Sequence, residues 1–256
     1  MNIKFLLLGF AALVVTSCKT PLSIANVKTE KNISIAKDLP EDQNFNQIIA
    51  PYKAELEGKM NTKISYTSVD LNKSGDNSNL GNLLADYTFD GANDWAKKNG
   101  IANGVDAALI NVGGIRSTIG AGNILTKSIY EVMPFENEVI IVKMKGSDLK
   151  GLFDYYSTTQ KNNPISHLYI ETDGGKLTKE LINGKEVEAN RDYYIATSDY
   201  LAMGGDNMAF FSKGEMISTG IKLRDLFLEK FEAQPQIVAP TDIRLNFKNK
   251  KINTND

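Results

Sequence analysis

Cysteine and histidine are almost missing from this chain: its 256 residues contain one of each, Cys18 and His167, with a single tryptophan. One cysteine rules out a disulfide within the chain. One histidine cannot furnish a metal centre built from several imidazoles. Net charge is also slight, since 29 basic and 31 acidic side chains leave a formal −2. That excludes the broad positive field with which proteins hold nucleic-acid polymers or acidic membrane surfaces. No segment repeats and no low-complexity tract interrupts the sequence. What remains, 42% hydrophobic and 23% charged residues, is the composition of a globular domain able to bury a full core.

The apolar stretch Phe5–Val15 follows Lys4 and is too short for a stable membrane span. It has the pattern of a secretory signal, and its ending, Val15-Thr16-Ser17-Cys18, resembles the lipobox of bacterial lipoproteins, whose cysteine becomes the first residue and carries the lipid. This predicts a signal peptide over residues 1–17 and lipid attachment at Cys18. Several acyl chains on one residue hold a protein to a bilayer far better than one. The expected location is therefore the bacterial cell envelope, at the periplasmic face or the cell surface, with the membrane reached through the anchor. Residues 18–41 form a polar tether in which Ile33 and Ile35 alternate with polar neighbours as in a short edge strand. One domain is expected over residues 42–248, with a tail at 249–256.

Within that domain the periodicity predicts mixed helices and strands without strict alternation, an α+β (mixed α/β) architecture rather than a doubly wound sheet. Phe45, Ile48, Ile49, Tyr52 and Leu56 share helical spacing, with Pro51 expected to kink or restart that helix. Strands are expected at 62–69, 105–111 (buried on both faces), 138–145, 167–171 and 192–198, and a closing strand in "TDIRLNF". Helices are expected around Leu80–Tyr87, from a Thr126 cap to Pro134, and from a Ser147 cap through Tyr156. A last amphipathic helix is expected in "GIKLRDLFLEKFEA" after Thr219. Asn183-Gly184 is the strongest hairpin signal.

Three stretches bear on chemistry. "NVGGIRS" (111–117) leaves an apolar strand with an amide, two glycines and an arginine. Such a glycine pair usually marks a turn needing positive φ, and it fits neither the dinucleotide fingerprint nor the phosphate loop. Arg116 at its end is well shaped for a phosphate or carboxylate. "MPFENE" (133–138) places Phe135 outside any apolar period, although core packing is the default for a lone phenylalanine. "DYLAMGGD" (199–206) sets Tyr200 and Asp206 around Gly204-Gly205. His167 falls in an expected strand and reads as structural.

In this order, "LGNLLAD" (80–86), "LINVGGIRS" (109–117), "ILTKSIYEVMPFENEV" (124–139), "KMKGSDLKGLF" (143–153) and "DYLAMGGD" make residues 43–248 resemble the C-terminal domain of the 5'-nucleotidase / UDP-sugar hydrolase family. The resemblance implies that family's fold, mixed sheets flanked by helices, and a substrate-recognition role. It implies Phe135 and Tyr200 as a nucleobase sandwich, Asn111, Gly113, Gly114 and Arg116 as loop contacts to sugar or phosphate, and Asp206 as acceptor for ribose hydroxyls. Asn137, Gly204 and Gly205 belong to the same motifs. Stacking on aromatic faces is worth about 1–3 kcal/mol per base and tolerates any base. Two departures stand out. Relatives carry an arginine shortly before the "LGN" motif, where this chain has "NKSGDNSNLGN" with Lys73 as the only nearby cation. The family hydrolyses through an N-terminal two-metal domain rich in His and Asp, and the short polar stretch after Cys18 does not supply one.

Three functions follow as expectations. The first is a recognition subunit that works with a separate metallophosphatase, which would hold the divalent metals; the chain itself would need no cofactor and would not hydrolyse alone. The second is a tethered nucleoside- or nucleotide-binding lipoprotein. The third is a scaffold that has lost its ligand. No Ser–His pair or clustered carboxylate site stands out for hydrolysis by other means.

Overall fold

The computed structural model describes residues 40–250, together with 24, 26–32 and 34. The signal peptide, Cys18 and the strand expected at Ile33 and Ile35 lie outside the described residues, as does most of the C-terminal tail. Contacts divide the chain into two units, residues 1–48 and 49–256. Asp42, in the first, caps the opening of α1 (Gln43–Met60), whose residues from Ile49 on belong to the second. Asp42 Oδ1 accepts from the N–H groups of Asn44 and Phe45 at 2.9 and 3.1 Å. This helix buries none of its residues and runs on through Pro51 without restarting. Among the described residues no helix is long and apolar enough to cross a membrane.

The second unit is organised by a five-stranded sheet. Its strands are β2 (Ala107–Leu109), β4 (Glu138–Lys145), β5 (Ile165–Ser166), β8 (Asp192–Ser198) and β9 (Glu215–Lys222), in the order β5-β2-β8-β4-β9. β2 and β8 are parallel; every other neighbouring pair is antiparallel. Both faces are covered, which explains the continuous apolar run at 107–110. Ala108, Val139, Ile141 and Ala196 pack on one side with α2 (Asn79–Lys98) and α6 (Leu223–Glu232). Ala107, Leu109, Ile140, Val142 and Ile195 pack on the other with α4 (Lys150–Thr159) and a three-stranded sheet. That sheet is made of β6 (Leu168–Asp173), β7 (Lys176–Ile182) and β10 (Leu245–Lys248), with β6 in the middle. A two-stranded pair, β1 (Lys63–Thr67) with β3 (Gly122–Leu125), completes the fold together with α3 (Thr126–Val132) and the short α5 (Asp199–Ala202). The architecture is α+β, as the sequence predicts.

Local chemistry corrects several boundaries. Asn183 and Gly184 do adopt left-handed φ of 51° and 74°, but only an isolated bridge, Ile182 to Lys185, follows. The hairpin instead joins β6 to β7 through Gly174-Gly175, with φ of 56° and 82°. Residues 220–222, expected to open the last helix, finish strand β9, and α6 starts at Leu223. Neither Ser147 nor Thr126 caps a helix: Leu149 precedes α4, and Thr126 is already inside α3.

Candidate functional site

Sheet register brings three loops to one end of the central sheet. Ala108 of β2 lies beside Ala196 of the parallel β8, so both strands deliver their C-terminal ends there. Val139, at the start of the antiparallel β4, pairs with Ser198 at the end of β8. The loop after β2, the loop before β4 and the segment after β8 therefore meet, on strands held rigid by two cores. Between them opens a cavity of about 570 Å³, lined by Asn111, Gly113, Gly114, Phe135, Glu136, Asn137, Tyr200 and Asp206. That volume suits a small organic molecule.

Phe135 and Tyr200 are 44% and 45% exposed, whereas the aromatics of the two cores are below 10%. Phe135 is thus not the core residue that an isolated phenylalanine would be by default. Each ring presents surface to the cavity, and each loop is fastened. Ser198 caps α5, accepting from the Leu201 N–H at 3.2 Å. Asp199 Oδ1 accepts from the Tyr200 N–H and from Asn137 Nδ2, both at 2.7 Å, tying the Tyr200 segment to the Phe135 loop. The Tyr200 hydroxyl donates to Asp206 Oδ1 at 3.0 Å and accepts from the Asp206 N–H at 3.2 Å. This back-reach lays the ring over Gly205, where a Cβ would meet Tyr200 atoms at 2.5–2.7 Å. Glycine is required there, and Asp206 itself sits at φ 54°.

The other glycine pair works differently from the expectation. Neither Gly113 nor Gly114 has positive φ; they form a 3-10 turn, Val112–Gly114. Gly114 lets the Asn111 amide lie close, since a Cβ would stand 3.1 Å from Asn111 Oδ1 and push it aside. The fully buried Asn163 props this turn, its Oδ1 accepting from the Val112 N–H at 2.9 Å while its Nδ2 donates to the Tyr155 hydroxyl at 3.1 Å. Arg116 does not line the cavity; its Nη1 donates to the Gly113 carbonyl at 3.0 Å. Lys73, the cation nearest the "LGN" motif, is engaged by the Ile115 carbonyl. Among the described residues no lysine or arginine lines the cavity.

Sequence reading missed the residues that hold the carboxylates. Lys161 Nζ donates to Asp206 Oδ2 at 3.0 Å. Partial burial opposes the charge on Lys161, but the bond to Asp206 and the negative neighbours prevail, raising its pKa. Arg224, from the first turn of α6, pairs with Glu136. No periodicity marks either residue; the only signal was Glu136 standing next to Phe135.

A second cluster centres on Arg244, which takes Asp86 in a fork at 2.7 and 2.8 Å and Asp242 at 2.7 and 3.1 Å. It also donates to the carbonyls of Asn82 and Ile165. His167 is here, at φ 59° between β5 and β6 rather than inside a strand, stacked on Phe89 at 3.5 Å. A Ser–His contact does exist, Ser166 Oγ lying 3.0 Å from His167 Nδ1 and donating to Asp86 at 2.6 Å. Ser166 is wholly buried and its hydroxyl proton is already given to Asp86. Among the described residues no three His, Cys, Asp or Glu side chains group to hold a metal ion.

Comparison with known proteins gives this site a context. A model of the family described as 5'-nucleotidase, C-terminal domain, matches residues 57–213. Protein UshA of Escherichia coli (strain K12) is 25% identical over 244 residues, covering 90% of this chain and 41% of UshA. The trifunctional nucleotide phosphoesterase protein YfkN of Bacillus subtilis (strain 168) is 28% identical over 247 residues, covering 84% of this chain and 16% of YfkN. The crystal structure of a 5'-nucleotidase precursor from Thermus thermophilus superposes with a TM-score of 0.66 at 23% identity, over 83% of this chain and 44% of that one. That likeness speaks to the fold. The chain spans less than half the length of each of these relatives.

Proposed function

The chain belongs to the 5'-nucleotidase C-terminal domain family, and from that premise we propose that it recognises nucleosides and nucleotides on behalf of a separate metallophosphatase in the bacterial envelope. The observation that carries this reading is the shared cavity of Phe135 and Tyr200, two half-exposed rings from different loops with a carboxylate, Asp206, in the same lining. A flat heterocycle between the rings gains about 1–3 kcal/mol per stacked face. Asp206 has lone pairs left for ribose hydroxyls, because a carboxylate offers about four acceptor positions and two are taken. Asn111, Asn137 and the backbone at Gly113-Gly114 and Gly204-Gly205 surround the sugar. Arg116 exchanges the Gly113 carbonyl for a phosphate oxygen when one is present.

The family's two-metal hydrolysis does not fit the donors of this chain: the sequence has one histidine, and it is packed on a phenylalanine. The proposal therefore assigns the divalent metals to the partner and no cofactor to this chain. Lipid attachment at Cys18 would keep the subunit at the membrane where that partner works. The names of relatives, 5'-nucleotidase and nucleotide phosphoesterase, support nucleotides as the substrate class.

Two measurements test this. Calorimetric titration with nucleosides and 5'-nucleotides should give saturable binding; flat isotherms across all bases would end the recognition reading. The chain alone should release no phosphate with added divalent metals, and a metallophosphatase from the same envelope should gain kcat/KM when it is added. If binding is present but no partner gains, the second reading holds: a tethered receptor that captures nucleosides. The cavity's lack of lining cations among the described residues favours uncharged ligands in that case.

A further inference from the structure

Among the groups lining the cavity, Glu136 is chemically out of place beside a stacking ring. Its side chain is 68% exposed, yet it is not free to swing. Arg224 Nη2 donates to Glu136 Oε1, while Nη1 of the same guanidinium donates to the Pro134 carbonyl at 3.1 Å. The guanidinium lies 4.6 Å over the Tyr130 ring, and its side chain is only 12% exposed. At the far end of the loop the Leu223 N–H donates to the Asn137 carbonyl at 2.9 Å. Residues 134–137 are thus pinned to the start of α6 at both ends. Among the described residues nothing donates to Glu136 Oε2.

We propose that Glu136 makes the slot selective for guanine nucleosides, with Arg224 as the residue that positions it. The inference rests on reading the cavity as a nucleobase slot. A carboxylate only accepts hydrogen bonds, so it sorts bases by the donors on the edge they present. Guanine offers two adjacent donors, the ring N1–H and the exocyclic amine, which match the acceptor pair of a carboxylate in charge-assisted bonds. Adenine and cytosine each offer one amine flanked by a ring nitrogen lone pair that the carboxylate repels. Uracil offers one N–H between two carbonyl oxygens. Sites built to hydrogen-bond a substrate group discriminate strongly against analogues lacking it, since the site's own polar group is left unpaired.

The test is titration of the full chain with guanosine, inosine, adenosine, cytidine and uridine, repeated with Glu136→Gln. Guanosine should bind about tenfold more tightly than adenosine, with inosine, which keeps N1–H but lacks the amine, in between. Glu136→Gln should cut guanosine affinity about fivefold or more and should not weaken adenosine, whose ring lone pair the neutral amide no longer repels. The thermal midpoint should stay close to the parent value, because the glutamine keeps an oxygen that accepts from Arg224. Equal binding of all bases, or a guanosine preference that survives Glu136→Gln, overturns the selectivity and leaves the slot intact. Absence of binding by every nucleoside overturns both.

Discussion

The two polar clusters of this molecule are built from similar parts and do opposite things. Around Arg244 the cation is spent on its own surroundings: every N–H of the guanidinium is directed at an oxygen, and the imidazole of His167, exposed at its edge, is stacked on Phe89. Around Tyr200, a carboxylate, an amide and two rings are fastened from behind and left open in front. Residue types alone do not separate these places. What separates them is whether hydrogen-bonding and stacking capacity has been used up inside the protein.

Variants at each cluster sharpen that contrast. The largest effect is expected from Arg244→Ala, which strands Asp86 in a partly buried setting. Breaking such a pair costs about 3 kcal/mol, the low end of the usual range because Asp242 is solvent-facing. Chemical denaturation should show that loss. Surviving folded protein should bind ligand as the parent does; a collapse in affinity without a loss of stability would erase the distinction between the clusters.

Next come Phe135→Ala and Tyr200→Ala. Each removes a stacking face worth about 1–3 kcal/mol, a loss of roughly fivefold to over a hundredfold in Kd. The Phe135→Ala midpoint should stay near the parent value, since that ring is half exposed, whereas Tyr200→Ala also loses the two hydroxyl bonds to Asp206 and should fall slightly. A Kd unchanged in both variants would show that the rings do not clamp the ligand.

The smallest effect concerns His167. Burial comes first among its influences and lowers its pKa, with Arg244 acting the same way; Asp86 and Asp90 oppose without prevailing. The unfolded chain takes up this proton near pH 6.5, while the folded state resists. Stability should therefore decline as pH falls through that value and on toward the folded pKa. Being the sole histidine, it gives one unambiguous proton NMR titration. A midpoint at or above about 6.5 would contradict the packed environment, and His167→Phe should flatten the slope.

Much of the frame was legible beforehand because the informative strands are apolar on both faces or regularly alternating: 138–145 is β4 to the residue, and 192–198 is β8. β9 was not, since Ser218, Thr219 and Gly220 break its pattern and only one of its residues is buried. The β6–β7 turn was missed for a related reason: Gly174-Gly175 lacks the asparagine that made Asn183-Gly184 conspicuous. In the cavity, motif resemblance picked out Phe135, Tyr200 and Asp206, which the register of β4 and β8 then brings together. Lys161, Asn163 and Arg224 carry no motif. They act across the fold as supports, and only the packing of α4, α6 and the loops between shows what they hold.

Tyr200 and Asp206 form a closed ring of contacts across six positions of chain, with the phenol hydroxyl as both giver and receiver. That knot settles the orientation of one wall before any guest arrives, so its rotational freedom is surrendered during folding instead of during capture. Phenylalanine at 200 would offer the same flat surface but an untied one. Its complexes should form with comparable ease and let go sooner, making a single oxygen atom the regulator of residence time.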